Sequence, residues 1–517
     1  MNPFMGGGST MSLGQNLREM EQARERYLRA FPSNAALKLR WRAMTVRHCF
    51  HVLPGETVLE LGAGSGLWTQ HLSAVLGARN PITAAVFNEE FVHADLWRPT
   101  RAVRPVVVDD LMSLRAESFD YVVGTGILCH DLYPQNLKAI LRVLKPGGQI
   151  LFFENNLWNP QVFLKTNVSI IGRLAGNAKC QVGLSKYEIL RLASHQGFID
   201  VDVIPYDIIH PRLPASLIPT CQSFAFLFEQ APLIRDLCGT LYIWARKPGG
   251  PLARPPINLA CHPMFLGAVS FVVPCHNEEM NVGPLVSEIL NHYREYVHEI
   301  VIVNDNSTDR TAEVTQDIMR KEPCVKLINR TPPNGVGHAL RDGYAAATGE
   351  YILTMDSDFV QIVPELRDLF EAVSDGHDGA IGSRFTHESI MVNYPFGKIL
   401  CNRIFHLLVN VLLRCSVRDV SNNLKLYRSE ILKSLEIKQG HFAANAETGL
   451  KPVMAGYRIK EVPISWINRT VEMGRSSFQL FRVAPNYALA LWDVIRSSRR
   501  SRGATRPGKL LPYGTDH

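Results

Sequence analysis

A segment rich in proline and glycine most constrains how this chain can fold. Residues 247–256 carry Pro or Gly at six of ten positions. Such a composition can continue neither a helix nor a central strand, so it indicates a linker. Because 517 residues exceed the length of one ordinary domain, we expect more than one core. We predict domains over residues 16–247 and 266–480, joined by a linker over 248–265.

Short apolar runs alternate with helical stretches on both sides of this linker. Before it, the apolar runs cover 58–61, 82–87, 105–108, 121–123 and 150–153. After it, they cover 269–273, 300–303 and 351–355. This alternation predicts two doubly wound α/β domains. Outside them we expect a disordered N-terminus over 1–15 and a C-terminal helix with a basic tail over 481–517.

Composition excludes several classes of protein. The chain is 46% hydrophobic and 20% charged, as globular proteins are. Its ten cysteines form no Cys-x-x-Cys pair, which argues against a zinc ribbon. The net charge of +7 is mild, and no basic stripe alternates with aromatics, so we expect no nucleic-acid partner. No leader-like segment opens the sequence, which predicts a cytoplasmic protein.

A glycine-rich turn follows the first apolar run. Gly62, Gly64 and Gly66 come directly after Val58–Leu61 and before a helical stretch. Glycine suits such a turn because the backbone bends tightly and a ligand can approach without meeting a Cβ. Farther along, Asp109 ends an apolar run, where its carboxylate can accept a hydrogen bond from an adenine amino group. The pattern predicts a site for a nucleoside-containing ligand.

Together with the segments over 119–123 and 144–150, this pattern resembles the class I S-adenosylmethionine-dependent methyltransferases over roughly residues 40–247. The resemblance implies a Rossmann-like domain that binds S-adenosylmethionine. The family's acidic residue at the end of the second strand has no clear counterpart, so either Asn88 or Glu89 would hold the ribose. His130 is a candidate base, with an ordinary loop histidine as the alternative. The implied cofactor-binding residues are Glu60, Gly62, Gly64, Gly66, Asn88 and Asp109.

Polar residues end three apolar runs after the linker. Asn277 and Glu278 follow the first run, Asp305 follows the second, and Asp356 and Asp358 follow the third. Carboxylates at strand ends can bind base and ribose hydroxyls. A pair two residues apart beside a diphosphate can hold a hard divalent cation. Such an ion neutralises charge that grows on a leaving nucleoside diphosphate.

In this order, the segments resemble the family 2 glycosyltransferases of GT-A fold over roughly residues 266–480. The resemblance implies inverting transfer of a sugar from a GDP- or UDP-sugar, with Mg²⁺ or Mn²⁺ held by Asp356 and Asp358. Asp358 and Arg384 are implied to be catalytic. The substrate-binding residues that we infer are Pro274, Asn277, Glu278, Asp305, Gly337, Asp356, Arg469 and Arg475.

The C-terminal segments over 419–428 and 459–464 resemble those of dolichyl- or polyprenyl-phosphate sugar synthases. A lipid phosphate is already anionic, so its recognition needs basic residues such as Arg469 and Arg475. The family's lysine in its Gly-Lys-Gly segment is Val336 here. If the acceptor is instead a glycan hydroxyl, a base is required, and Glu447 is the candidate. The apolar stretch over 395–417 fits peripheral contact with the cytoplasmic membrane face, and a buried helix pair fits it equally.

We therefore expect a bifunctional enzyme. Its C-terminal domain would move a sugar from a nucleotide-sugar to a polyprenyl-phosphate or glycan acceptor, with a divalent metal. Its N-terminal domain would transfer a methyl group from S-adenosylmethionine. The alternative is an active glycosyltransferase joined to a methyltransferase-like module that only binds or scaffolds.

Overall fold

The chain forms two compact units, Met1–Pro255 and Pro256–His517. The structure is a computed structural model that describes residues 13–30, 32–93, 97, 102–128, 133–168, 185–209, 213–386, 388–392, 394–467 and 480–501. The boundary between the units falls inside the segment predicted as a linker. A helix begins at Leu13, within the segment predicted to be disordered, and residues 1–12 lie outside the described part.

The first unit is built on a seven-stranded sheet in the order β3-β2-β1-β4-β5-β7-β6. Its strands are β1 (Val58–Leu61), β2 (Ile82–Val86), β3 (Val103–Val107), β4 (Phe119–Thr125), β5 (Leu144–Asn155), β6 (Ile199–Tyr206) and β7 (Thr240–Arg246). Strands β1 to β5 pair in parallel, whereas β7 is antiparallel to both β5 and β6. The doubly wound α/β fold is thus confirmed, and the antiparallel pair at one edge extends it.

Helices of the first unit precede the sheet or connect its strands. They are α1 (Leu13–Ala30), α2 (Pro32–Phe50), α3 (Leu67–Val75), α4 (Tyr133–Val143), α5 (Pro160–Asn167), α6 (Lys186–His195) and α7 (Ile218–Gln230). A large core of the unit joins Leu59, Val122, Ile150 and Ile243 from the sheet to Ile140 from α4. Because β1 and β4 are buried along their whole length, most of their side chains are apolar.

The second unit also holds a seven-stranded sheet, in the order β10-β9-β8-β11-β14-β12-β15. Its strands are β8 (Val269–Cys275), β9 (Val297–Asn304), β10 (Val325–Asn329), β11 (Tyr351–Thr354), β12 (Gly379–Ser383), β14 (Lys425–Arg428) and β15 (Ile459–Pro463). Strand β14 runs antiparallel between β11 and β12. A separate pair joins β13 (Ile390–Val392) to β16 (Ser465–Ile467).

The helices of the second unit connect its strands, and one helix follows the last strand. They are α8 (Val282–Tyr293), α9 (Thr311–Met319), α10 (Val336–Ala346), α11 (Leu366–Ser374), α12 (Phe396–Leu413), α13 (Ser429–Lys433), α14 (Ala443–Met454) and α15 (Leu480–Ser501). One core cluster joins β8 and β9 to α10, α12 and α15. By length and composition alone, α12 is apolar enough to cross a membrane, and 22% of it is buried.

Glu299 ties together the start of the second sheet. Its carboxylate accepts hydrogen bonds from the Ser270 hydroxyl at 2.7 Å, from the Thr348 amide at 2.6 Å and from the Thr348 hydroxyl at 2.8 Å, and it pairs with Lys326. Burial raises the pKa of Glu299, but the Lys326 ammonium and the other donors outweigh burial and hold that pKa at about 2. The ionised carboxylate therefore stabilises the sheet.

We predict that Glu299→Gln lowers the free energy of unfolding by about 1–3 kcal/mol at pH 7, because a neutral amide cannot satisfy all of these donors. The native pKa lies below the ordinary value, so this stabilisation is complete above about pH 4.5 and is lost as the pH falls toward 2. Urea unfolding across that range should show the two proteins converging.

Glu322→Gln serves as the control, because Glu322 pairs with Arg294 at the surface. Removing such a pair should cost less than about 1 kcal/mol. A Glu299→Gln protein as stable as the wild type at pH 7 would contradict this account of the sheet.

Candidate functional sites at two sheet edges

The glycine turn lies at the carboxyl end of β1, where the strand order of the first sheet reverses between β1 and β4. Ligands of open α/β sheets bind at such a point. The φ angles of Gly62, Gly64 and Gly66 are +66°, +56° and +84°, values that favour glycine. The turn then leads into α3. Its backbone has the form predicted for a ligand-binding turn.

Helix α1 lies against this turn. The Glu21 carboxylate accepts from the Gly64 amide at 2.9 Å and from the Asn88 amide at 2.8 Å. The Glu25 carboxylate accepts from the Ser65 amide at 3.0 Å and from its hydroxyl at 2.7 Å. A Cβ added at Gly64 would overlap the Glu25 carboxylate. The turn's donors are therefore bonded to acidic side chains of the same chain.

Of the remaining predicted cofactor residues, Asp109 is exposed, whereas Asn88 and Glu60 are buried. Asp109 forms an ion pair with Arg18 of α1. The Asn88 side chain accepts from the Glu90 amide at 3.2 Å and caps a short helical turn there. Glu60 is buried beneath the turn, and burial raises its pKa to about 7. His130 lies outside the described residues.

The second site lies at the carboxyl ends of β8, β9 and β11, where the strand order reverses between β8 and β11. A cavity of about 1080 Å³ opens there. Of the residues predicted to bind substrate or metal, the structure places these on its wall: Pro274, Asn277, Glu278, Asp305, Asp356, Asp358 and Arg384. The strand-end segments are therefore brought together as the sequence predicted. Arg469 and Arg475 lie outside the described residues.

Hydrogen bonds fix the loops that carry these groups. The Asn277 side chain accepts from the Thr308 amide at 2.8 Å and so joins the loop after β8 to the loop after β9. The Asp305 carboxylate accepts from the Gly335 amide at 2.6 Å and pairs with Arg330. These bonds connect three segments that are far apart in sequence. They hold the polar wall in place.

Asp356 is oriented by Asn423, which was not among the predicted site residues. The Asn423 side-chain amide donates to the Asp356 carboxylate at 2.7 Å. Asn423 precedes β14, the strand next to β11, and is 1% exposed. The sequence signal for Asn423 was its place in the 419–428 segment, which resembles a segment of the dolichyl- or polyprenyl-phosphate sugar synthases. Asn423 therefore positions one carboxylate of the predicted metal pair.

Arg384 is held by a buried carboxylate. Its Nε and Nη2 atoms donate to the two oxygens of Asp419 at 2.6 and 2.8 Å, and its Nη1 donates to the Tyr394 hydroxyl at 3.1 Å. Burial raises the pKa of Asp419, but the Arg384 guanidinium outweighs burial and holds that pKa well below its ordinary value. Such bidentate pairing fixes the guanidinium plane at the cavity wall.

The other end of the same cavity is apolar. It is lined from α12 by Ile404, Phe405, Leu408 and Leu412, and from α15 by Leu491, Trp492 and Ile495. Several side chains of these helices are also exposed: Leu407 is 63%, Val411 66% and Trp492 62% accessible. The predicted buried helix pair is therefore only partly realised. The two helices contact each other, yet they also present an open apolar surface.

Glu447 and Gly337 lie behind the cavity wall. The Glu447 carboxylate is fully buried and accepts from the Lys438 amide at 3.0 Å, the Gln439 amide at 2.7 Å and the Lys451 ammonium at 2.6 Å. This geometry assigns Glu447 to holding the loop over 438–442 rather than to taking a proton from an acceptor. The Gly337 amide donates to the Gly440 carbonyl at 2.9 Å and supports the same loop.

Two family models match separate parts of the chain. Residues 35–166 match the ubiE/COQ5 methyltransferase family, and residues 270–436 match the glycosyl transferase family 2. The first match contains the glycine turn and Asp109, and the second contains Asp305, Asp356 and Asp358. The chain joins a methyltransferase-family segment to a family 2 glycosyltransferase segment. The resemblances inferred from the two sets of motifs are thus confirmed.

Each of the following similar proteins matches less than half of the chain. Dolichol-phosphate mannosyltransferase of Pyrococcus furiosus is 31% identical over 232 residues, which cover 44% of this chain and 64% of that enzyme. Polyprenol monophosphomannose synthase of Mycolicibacterium smegmatis is 26% identical over 247 residues, covering 46% and 90%. A solved methyltransferase of Thermotoga maritima, a possible histamine N-methyltransferase, matches 45% of this chain and 99% of its own, with 18% identity and a TM-score of 0.32.

We predict that Gly337→Ala weakens nucleotide-sugar binding by about tenfold and lowers the free energy of unfolding by about 1–3 kcal/mol. The added Cβ would overlap the Gln439 carbonyl oxygen, so the loop that carries the cavity residues His441 and Phe442 must shift. Calorimetric titration with UDP- and GDP-sugars measures the binding.

Gly283→Ala is the matched control, because a Cβ there meets open space on α8. It should leave binding unchanged and stabilise the fold by about 0.5–1 kcal/mol. Wild-type affinity in Gly337→Ala would show that the loop over 438–442 does not shape the donor site.

Proposed function

We propose that the second unit transfers a sugar from a nucleotide-sugar to a polyprenyl phosphate. One observation carries this proposal: a single cavity runs from the strand-end carboxylates to the apolar helices α12 and α15. A nucleoside diphosphate needs the first environment, and a long hydrocarbon chain needs the second. Transfer between them requires both substrates to meet in one space.

The polar end suits the donor. Asn277, Glu278 and Asp305 offer oxygen atoms toward a base and a ribose, and Asp356 and Asp358 lie beside them on the loop after β11. We infer a GDP- or UDP-sugar as the donor, with its nucleoside along the β8 and β9 loops.

A divalent cation fits the aspartate pair as part of a larger ligand set. Among the described residues, no group of three or more His, Cys, Asp or Glu side chains is arranged to hold a metal. Mg²⁺ usually takes only one or two carboxylates and completes its shell with substrate phosphates and water. We therefore infer that Asp356 and Asp358 hold Mg²⁺ or Mn²⁺ together with the donor diphosphate. Bound there, the ion would neutralise charge on the leaving group.

The apolar end suits a lipid acceptor. Leu408 and Leu412 line the cavity and are also partly open to solvent, and Leu407 and Val411 of the same helix are exposed away from the cavity wall. This arrangement allows a hydrocarbon chain to pass from a membrane surface into the cavity. It supports peripheral contact of the unit with a membrane surface, and the cytoplasmic side stays a prediction. The names of the two relatives, dolichol-phosphate mannosyltransferase and polyprenol monophosphomannose synthase, support the same acceptor class.

A phosphate acceptor needs cations rather than a base. Lys398 and Arg384 are cationic residues on the wall of the same cavity. The anchored position of Glu447 favours a phosphate over a glycan hydroxyl, because Glu447 was the candidate base for a hydroxyl. Arg469 and Arg475 stay predictions for the acceptor phosphate. Inversion at the anomeric carbon would follow from direct attack of the phosphate oxygen on the donor sugar.

For the first unit, we propose binding of S-adenosylmethionine and methyl transfer. The proposal is supported by the family match over 35–166 and by the glycine turn at the reversal point of the sheet. With α1 in its described position, the Gly64 and Ser65 amides of the turn are bonded to Glu21 and Glu25. The alternative is a module that only binds or scaffolds, and an absence of affinity for the methyl donor would favour it.

We predict that Asp356→Asn lowers sugar transfer at least about 100-fold, since the variant loses a negative charge that holds the metal, and the metal neutralises the leaving diphosphate. Asn423→Ala should cost about tenfold and raise the Mg²⁺ concentration needed for half-maximal rate, because Asp356 then loses its orienting donor. Release of nucleoside diphosphate in the presence of polyprenyl phosphate measures both.

Asp375→Asn, an exposed residue after α11, is the control and should keep full activity. Full turnover in Asp356→Asn would mean that the aspartate pair has no part in the reaction.

We also predict that Leu408→Asn raises KM for a long-chain polyprenyl phosphate by about tenfold, because a polar side chain in the apolar end of the cavity disfavours hydrocarbon. KM for a short, water-soluble isoprenyl phosphate should change less than twofold. Steady-state kinetics with the two acceptors measures the difference.

Val411→Asn is matched to it, since Val411 is exposed on the same helix and is not on the cavity wall. That variant should weaken binding to phospholipid vesicles without changing KM for either acceptor. Equal loss with both acceptors in Leu408→Asn would contradict a lipid channel along α12.

A further inference from the structure

Four charged side chains of helix α1 point at the glycine site of the first unit. They are spaced along one face of the helix, at positions 18, 21, 24 and 25. Glu21 and Glu25 are each 3% exposed, although acidic side chains at this depth are rare unless they are bonded. Burial raises the pKa of Glu21, opposed by Arg24 and by the backbone amides that it accepts from. Burying two acids in one site requires specific partners.

The partners are the backbone groups of the turn and of its neighbours. Glu21 bonds to the amides of Gly64, Phe87 and Asn88 at 2.9, 3.1 and 2.8 Å, and Glu25 bonds to the Ser65 amide at 3.0 Å. These amides follow β1 and β2. They are the donors that an anionic group of a ligand would use at this edge.

Basic side chains of α1 occupy the acceptors. Arg24 donates to the carbonyl of Gly62 and, at 3.1 Å, to that of Thr125 at the end of β4. Arg18 donates to the Phe87 carbonyl at 3.0 Å and pairs with Asp109 beyond the end of β3. Acceptors just beyond the ends of four adjacent strands, β1 to β4, are therefore bonded to guanidinium groups of one helix.

This set of charges corresponds to the polar groups of the methyl donor. The amino-acid end of S-adenosylmethionine has a carboxylate and an ammonium group, and its adenine has an amino group. Helix α1 offers carboxylates to the turn amides, a cation to the Gly62 carbonyl, and a guanidinium to Asp109. The same protein atoms cannot bond to α1 and to the methyl donor at once. Helix and donor therefore compete for one site.

We propose that helix α1 is an intramolecular occupant of the methyl-donor site, and that the donor binds only when α1 withdraws. The inference rests on the proposed methyl-donor function of the first unit. If the closed form is about 90% populated or more, the apparent affinity for the donor falls about tenfold or more. Methyl transfer would then depend on whatever displaces α1, while sugar transfer in the second unit would not need that displacement.

The test measures S-adenosylmethionine binding to the full chain by calorimetry, for the wild type and for Glu21→Ala/Glu25→Ala. Alanine keeps the helical propensity of α1 but removes the contacts to the turn. We expect the double variant to bind about tenfold tighter or more. Glu21→Gln keeps the side-chain shape and provides a second variant, with a smaller gain in the same direction.

Glu19→Ala is the matched control. It removes an acid from the same helix, and Glu19 is not one of the side chains that bond to the turn; its affinity should stay within about twofold of the wild type. Hydrogen exchange on the same proteins gives an independent readout. Saturating S-adenosylmethionine should increase deuterium uptake in residues 17–28 of the wild type, because α1 leaves the site.

The possible failures are distinguishable. If the wild type and the double variant bind the donor equally and α1 keeps its protection, the donor binds beside α1; the occupancy proposal is overturned and the methyl-donor function stands. If neither protein binds the donor while exchange shows the Gly64 and Ser65 amides opened in the double variant, the open site does not take the donor. That result overturns the methyl-donor function, and the gating proposal with it.

Discussion

The carboxyl ends of parallel strands are the constraint on which both sites depend. In each unit, the strand order reverses between two neighbouring parallel strands, β1 and β4 in the first and β8 and β11 in the second. The loops after these strands diverge there and leave a crevice. The glycine turn follows β1 and Asp356 follows β11, whereas Asp109 and Asp305 follow β3 and β9 of the same two sheets. Their roles follow from that geometry more than from any single motif.

Local pattern predicted this much of the molecule because strands and their turns are encoded by nearby residues. Apolar runs gave the positions of β1, β2, β8, β9 and β11, and the polar residues after them became the walls of the sites. The Pro/Gly segment contains the boundary between the two units. The antiparallel strands β6 and β7 were missed, because an edge pair depends on partners far away in sequence.

Contacts across long sequence separations explain what the pattern did not reveal. Glu21 reaches Gly64 from 43 residues away, and Arg18 reaches Asp109 from 91 residues away. A helix with mixed charge gives no signal of which backbone groups it will bond to. Glu447 was a candidate base by position, yet the fold buries it and uses its carboxylate to anchor a loop. Asn423 gained its role only because β14 is inserted beside β11.

The two sites differ in what their charges do. In the second unit, fixed pairs such as Arg384–Asp419 and Asn423–Asp356 preorganise an open cavity, so little needs to move before donor and acceptor bind. In the first unit, charges on α1 satisfy the site from within the chain. In our proposal, the cavity of the second unit is therefore open to its substrates, whereas the methyl-donor site of the first unit is closed until α1 is displaced.

Product analysis by mass spectrometry tests the central claim most directly. The purified full chain would be incubated with UDP- and GDP-sugars, Mg²⁺ and polyprenyl phosphate, with and without a metal chelator. The account predicts a polyprenyl phosphate that carries one added sugar, formed only when the metal is present. Absence of any sugar adduct with every donor, in protein shown to be folded, would contradict it.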